Sequence, residues 1–270
     1  MTDDPNAVLE ASYESIHVKR NSNGVATITI DRPDARNALN GTVREELSTV
    51  LPAVEASDSR VAVITGSAEC GAFVAGADVS ELRERGMIEQ RRASERPRVY
   101  EVVAELKTPV VAHINGHALG GGLELATACD IRIAQSGAKL GQPEINLGLI
   151  PGGGGTQRLP RLVGEGQAMK LILSGELIDT EEAADIGLVD EVCAPEDIDK
   201  RVATLTESIA NKSPFALEHA KESIRAASRM SLDEGIDYEA ELFVQLFATE
   251  DKNEGIDAFF EGRDPQWKGR

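Results

Sequence analysis

The feature that most limits how this chain can fold is the order of its apolar segments. Residues 24–30 (GVATITI) alternate with period two after a turn and predict a strand. Residues 42–54 place Val43, Leu47, Val50, Leu51 and Val54 on one helical face. Residues 61–65 (VAVIT) are a short apolar run closed by Gly66, the pattern of a buried strand. A charge-rich helical stretch over 78–106 follows, broken or kinked at Pro97. Two more buried strands are expected at 109–114 and 131–134. Strands that alternate with helices in this way call for an α/β arrangement built on a parallel sheet.

From about residue 195 the pattern changes to almost pure helix. Residues 203–210, 214–228 and 232–248 show three-four apolar spacing, and 251–260 add a short final helix. The expected division is a core over 1–200 and a helical C-terminal region over 201–270, suited to oligomerisation or to forming a lid. The chain has 270 residues, 41% of them hydrophobic, enough for a sizeable buried core.

Charge and cysteine usage exclude several function classes. A net charge of −18 opposes nucleic-acid binding, which needs a basic surface. The cations are nineteen Arg against nine Lys, and with the acid excess they suggest a surface kept soluble at high salt, hence a halophilic source. Cys70, Cys129 and Cys193 lie far apart without a CxxC pair, so neither a disulfide framework nor a metal site is expected. The N-terminal stretch MTDDPNAVLEASYESI lacks a basic and an apolar region, and no apolar run reaches the roughly 20 residues of a bilayer span. The expected location is cytoplasmic, with no membrane partner.

Four glycine-rich segments carry the chemical information. Residues 70–78 (CGAFVAGAD) join a strand to a helix through small residues, which lets a ligand approach the backbone; a plain tight connection would read the same way. Residues 115–126 (NGHALGGGLELA) run a buried strand into three glycines and an apolar helix start. Glu124 in that first turn is either a charge favourable to the helix dipole or a site residue, and its apolar flanks favour a site. Residues 140–148 place Glu144 between Pro143 and Ile145, and 151–159 (PGGGGTQRL) open a further helix after a glycine run. Neither GxxxxGK[ST] nor GxGxxG occurs, which speaks against nucleotide hydrolysis and dinucleotide binding. There is no GxSxG elbow, and His113 and His117 have no nucleophile partner, so structural roles are expected for them.

The strings AGAD (75–78), NGHALGGGLELATACDIRIA (115–134) and LGQPEINLGLIPGGGGTQRLPRLVG (140–164) resemble the enoyl-CoA hydratase/isomerase (crotonase) superfamily. The resemblance extends through IDRPDARNALN (30–40), EEAADIGLVDEV (181–192) and FATEDKNEGIDAFFEGRDP (247–265). It implies an α/β crotonase-like spiral of ββα units with a helical C-terminal oligomerisation region, assembled as a homotrimer or homohexamer. It also implies an acyl-CoA substrate and no separate cofactor, coenzyme A being part of the substrate.

By the same resemblance, the backbone N–H groups of Ala77 and Gly121 would form an oxyanion hole for the thioester oxygen, such donors being worth roughly 3–4 kcal/mol each. Glu144 would move protons at the substrate, while Glu124 and the Gly152 N–H would hold and activate a water. Coenzyme A binding would fall to Ala35, Arg36, Ala75, Ala77, Asp78 and Gly121, with Phe243 contributed by a neighbouring subunit. Gly71, Ser80 and Gly262 stand where phosphate-binding lysines are often found, leaving Arg36 and Arg263 to compensate. The pair of glutamates favours hydration over the enoyl-CoA isomerase reaction. An RNA-binding relative of this family would want a lysine-rich helix, whereas residues 81–100 hold six Arg offset by four Glu.

Overall fold

The computed structural model describes residues 4–270, so the first three residues of the N-terminal stretch considered above lie outside the described residues. The strands in chain order are β1 (Ile16–Arg20), β2 (Val25–Ile30), β3 (Val61–Gly66), β4 (Ala72–Val74), β5 (Val110–Ile114), β6 (His117–Leu119), β7 (Ile131–Gln135), β8 (Lys139–Gly141), β9 (Ile178–Asp179) and β10 (Glu191–Cys193). The helices are α1 (Pro5–Glu10), α2 (Gly41–Ala56), α3 (Val79–Glu84), α4 (Met87–Ala93), α5 (Val99–Glu105), α6 (Gly121–Ala128), α7 (Gly155–Ser174), α8 (Thr180–Asp185), α9 (Ile198–Ala210), α10 (Pro214–Ala226), α11 (Leu232–Leu246) and α12 (Glu250–Glu261).

Six strands form one sheet in the order β1-β2-β3-β5-β7-β10, parallel except for the β1–β2 hairpin. A second sheet runs β4-β6-β8-β9, with only β8–β9 antiparallel. Each of β3, β5 and β7 leaves the first sheet, crosses within a few residues to β4, β6 or β8 of the second, and returns through helix. The repeated unit is therefore ββα, and successive units stack into a spiral.

Burial explains why β3 and β5 read as continuous apolar runs, since every residue of both is buried. One face of the first sheet packs inward, where Ile28, Ile30, Ile64 and Ile114 meet Phe73, Val74, Leu123, Leu125 and Leu140. On the other face Val25, Val61, Val63, Val111 and Ile133 are covered by Ile198 and Val202 of α9. The helical region that starts near residue 200 thus begins on the core sheet itself. Asp130 ties the next helix to it, accepting from Val110 N (2.7 Å) while pairing with Lys221 (2.6 Å) and Arg225 (2.7 Å) of α10.

The expected helix over 78–106 is instead three short helices, α3, α4 and α5. Gly86 caps α4, and Arg98, beyond Pro97, caps α5, so the charge-rich stretch has no continuous apolar face to hold it straight. Among the described residues no helix is long and apolar enough to cross a membrane.

Candidate active site

The four glycine-rich segments meet where the second sheet runs into its helices. Leu39 and Ala77 form a parallel bridge in which Leu39 N donates to Gly76 O (2.8 Å) and Leu39 O accepts from Asp78 N (3.0 Å). That pattern turns the N–H of Ala77 itself to the opposite side, away from Leu39. The loop carrying Leu39 is rigid because fully buried Asn37, held at φ +57°, donates to Ala72 O (2.8 Å) and Ser67 O (3.2 Å). Gly121 opens α6, so its N–H has no partner within the helix. Gly120 before it takes φ +49° and ψ −122°, a conformation that a side chain would strain. A side-chain carbon on Gly121 would lie 3.2 Å from Ala77 N and 3.0 Å from the Tyr100 hydroxyl. The two N–H groups named from the sequence therefore border one space, beside a phenol.

Glu124 and Glu144 flank that space. Glu124, 3% exposed, accepts through Oε1 from Gly153 N (2.6 Å) and Gly155 N (2.7 Å). Burial raises its carboxyl pKa, while those two N–H groups and then the Arg158 and Arg98 guanidinium charges oppose the rise. Glu144 lies in the 3₁₀ turn Pro143–Leu147, behind Gly120, where an added side-chain carbon would sit 2.9 Å from its Oε1. Burial pushes the Glu144 carboxyl up to about 7, its own backbone N–H opposing and the Glu124 charge adding to the rise. Gln142, wholly buried, donates to Glu144 Oε1 (3.0 Å) and Oε2 (3.1 Å) when its amide is oriented with NH₂ toward the carboxylate. The arrangement combines a protonatable group near neutrality, a pinned carboxylate and two free N–H donors. Such a set can polarise a carbonyl and move protons beside it.

Several supporting residues escaped the sequence reading. Arg158 of α7 donates to Gly153 O (2.9 Å) and Tyr100 O (3.2 Å). Arg98 donates to Gly152 O and is held by Glu101. These two guanidinium groups grip the carbonyls of the 151–155 glycine run, the same run whose N–H groups point at Glu124. Gly152, named from the sequence, is exposed on this loop, while Gly153 and Gly155 make the hydrogen bonds to Glu124. Only the tertiary fold distinguishes them.

The expected coenzyme A residues divide into two groups. Ala35, exposed Arg36, Ala75, Ala77 and Asp78 line up along the 32–40 and 75–78 segments, joined by the hydrogen bond from Ala75 N to Arg36 O (3.1 Å). The Asp78 side chain is engaged, capping α3 through Ser80 N (3.2 Å) and pairing with Arg32 (3.1 Å). Its pKa is lowered first by the Ser80 hydroxyl. Phe243 stands apart on α11, 60% exposed and edge to face with Phe247. Arg263 is held by Glu254 and Glu261, each at 2.6 Å, so a phosphate would have to compete with two carboxylates for it. Outside the site, His117 accepts from Lys139 N (2.9 Å), joining β6 to β8, and burial lowers the pKa of His113.

Known proteins share this architecture. The Enoyl-CoA hydratase/isomerase family model matches residues 20–270. A short-chain-enoyl-CoA hydratase of Clostridium acetobutylicum is 42% identical over 240 residues, which are 88% of this chain and 92% of that protein. A 2,3-dehydroadipyl-CoA hydratase of Escherichia coli is 42% identical over 248 residues, covering 91% of this chain and 96% of its own. The crystal structure of an enoyl-CoA hydratase from Bacillus anthracis superimposes with a TM-score of 0.91 at 39% identity, covering 95% of this chain and all of that one.

Proposed function

Because the chain belongs to the enoyl-CoA hydratase/isomerase family and has the crotonase fold, we propose that it is an enoyl-CoA hydratase, reversibly adding water to a 2-enoyl-CoA to give a 3-hydroxyacyl-CoA. The observation that carries this reading is the placement of two glutamates of unlike character against one pair of free N–H donors. Relatives at 42% identity that are named as hydratases support it.

In this reading the N–H groups of Ala77 and Gly121 hold the thioester oxygen and strengthen their grip as enolate charge develops. Glu124, ionised, takes a proton from water as the water oxygen bonds to C3. Glu144, protonated below about pH 7, gives its proton to C2. The double bond is consumed, water is added across it, and the proton gained by Glu124 balances the one lost by Glu144. No separate cofactor is required. Coenzyme A would lie along Ala35, Arg36, Ala75, Ala77 and Asp78, with Phe243 supplied by a neighbouring copy in a homotrimer or homohexamer, in the cytoplasm.

The test is loss of the conjugated thioester absorbance of crotonyl-CoA, measured in molar KCl. Rapid loss that disappears in Glu144→Gln supports hydration. A folded sample that leaves crotonyl-CoA untouched but converts 3-enoyl-CoA overturns it in favour of the isomerase reaction.

A further inference from the structure

Tyr100 is the one polar side chain at this site to which neither the proposed chemistry nor the fold assigns work. It is 7% exposed, on α5, inside the same core cluster as Leu123 and Leu125. Among the described residues its hydroxyl has no hydrogen-bond partner, although its backbone carbonyl accepts from Arg158. Two glycines mark where the ring lies. A side-chain carbon on Gly121 would sit 3.0 Å from the hydroxyl and 3.2 Å from Ala77 N. One on Gly153 would sit 2.6 Å from ring atom Cζ and 2.7 Å from Glu124 Oε2. The phenol therefore spans from the N–H pair to the oxygen of Glu124 that is left free by Gly153 and Gly155. Burial first, then the charges of Glu124 and Glu144, raise its pKa, so it stays a neutral donor.

A buried hydroxyl facing a ligand space costs free energy when the ligand covers it with hydrocarbon, and is satisfied when the ligand brings an acceptor oxygen. In the hydration read above, water held by Glu124 delivers its oxygen to C3 on this side of the acyl chain. We propose that Tyr100 is a specificity-determining residue whose hydroxyl hydrogen-bonds the oxygen at C3, so that the site binds 3-oxygenated acyl-CoA in preference to its plain hydrocarbon counterpart. This rests on the acyl-CoA reading of the site.

The experiment compares two ligands that can be neither hydrated nor dehydrated, acetoacetyl-CoA with an oxygen on C3 and butyryl-CoA without one. Their affinities are measured by titration calorimetry on the wild-type protein and on Tyr100→Phe. The expected result is that the variant loses about tenfold in acetoacetyl-CoA affinity while butyryl-CoA binding stays within twofold. Equal weakening of both ligands would reduce Tyr100 to packing and overturn the proposal, as would no change in either. Crotonyl-CoA hydration by the wild type is followed separately. Turnover with no ligand discrimination sinks only the tyrosine inference. Discrimination without turnover sinks only the hydratase reading, and binding of neither thioester sinks both.

Discussion

At the scale of single residues, Glu144 and Glu124 share a pocket and differ in what surrounds them. Burial is the largest influence on both, pushing Glu144 up to about 7 and raising Glu124 as well, but only at Glu124 do two backbone N–H groups and two arginines oppose the rise. If Glu144 donates to C2, hydration needs its protonated form, so kcat/KM for crotonyl-CoA falls as pH rises through about 7. Hydration releases no net proton, so the ratio of kcat/KM in the two directions is fixed, and dehydration of 3-hydroxybutyryl-CoA, which needs the same single proton shared by the two glutamates, falls over the same window. Profiles that stay flat through pH 7 in both directions would remove Glu144 from the proton transfer. Glu144→Gln should cut turnover by about 10²–10⁴-fold, as for loss of a general acid-base group. It should also stabilise the fold. A carboxyl whose folded pKa is raised from 4.5 loses stability as pH climbs from about 4.5 to 7, where the unfolded chain ionises first. The gain in Tm from the neutral amide should therefore be small at pH 4.5, grow to pH 7 and then level off. A variant that is less stable at pH 8 would contradict burial as the cause of the shift. Ala77 and Gly121 were named through the family resemblance, while both glutamates stood out in the sequence as carboxylates set in apolar, glycine-rich segments. Tyr100 and Arg98 did not, since a half-apolar helix 20 residues upstream carries no local sign of the pocket it will face.

Among the elements, β1 and β10 at the edges of the first sheet went unread, but its central strands and the C-terminal helices were legible, because β2 alternates with period two, β3 and β5 are continuous apolar runs, β7 is a short mostly buried segment and α9 to α12 have clear helical spacing. The second sheet was not. Its strands are two or three residues long, too short to show any period, and in the sequence they read only as glycine-rich junctions. Those junctions line the candidate site. The run 151–155 illustrates this, its carbonyls held by Arg98 and Arg158 while its N–H groups hold Glu124. Gly153→Ala would drive a methyl to 2.7 Å from Glu124 Oε2 and against the Tyr100 ring. Overpacking of this kind costs about 1–3 kcal/mol, read as a lower midpoint in urea. Activity should fall by about 100-fold, because displacing the loop misaims Glu124. Gly152→Ala, with nothing within 4 Å of the new carbon, is the control and should remain folded to the same midpoint. Equal effects of the two substitutions on stability would mean that the run is not packed as described.

For the whole molecule, two surface properties oppose each other. The C-terminal helical region exposes Ile224, Leu232, Ile236, Phe243, Val244, Phe247, Phe259 and Phe260, eight large apolar side chains. In the proposed homotrimer or homohexamer neighbouring copies would cover some of them, and Phe243 would reach a neighbour's proposed acyl-CoA site. Yet each copy carries a net charge of −18, so bringing copies together concentrates like charge. At 0.01 M salt, charges interact over about 30 Å, and at 1 M over only about 3 Å. Salt also weakens exposed ion pairs such as Arg20–Asp58 and Lys268–Glu250, but surface pairs contribute only about 0–1 kcal/mol each. The unpaired acid excess should outweigh them. Sedimentation at 10 mM KCl should then show dissociated chains with a lower Tm, and at 1 M KCl an assembled, more stable and more active species. The form of the rise identifies its cause. Screening is nearly complete by a few tenths molar, so the gain should flatten there, whereas a steady climb to several molar would point to salt-strengthened apolar burial. A Tm and an assembly state that do not move between 10 mM and 1 M would show that the acid excess is spread too thinly to repel, and would remove the argument for a high-salt habitat.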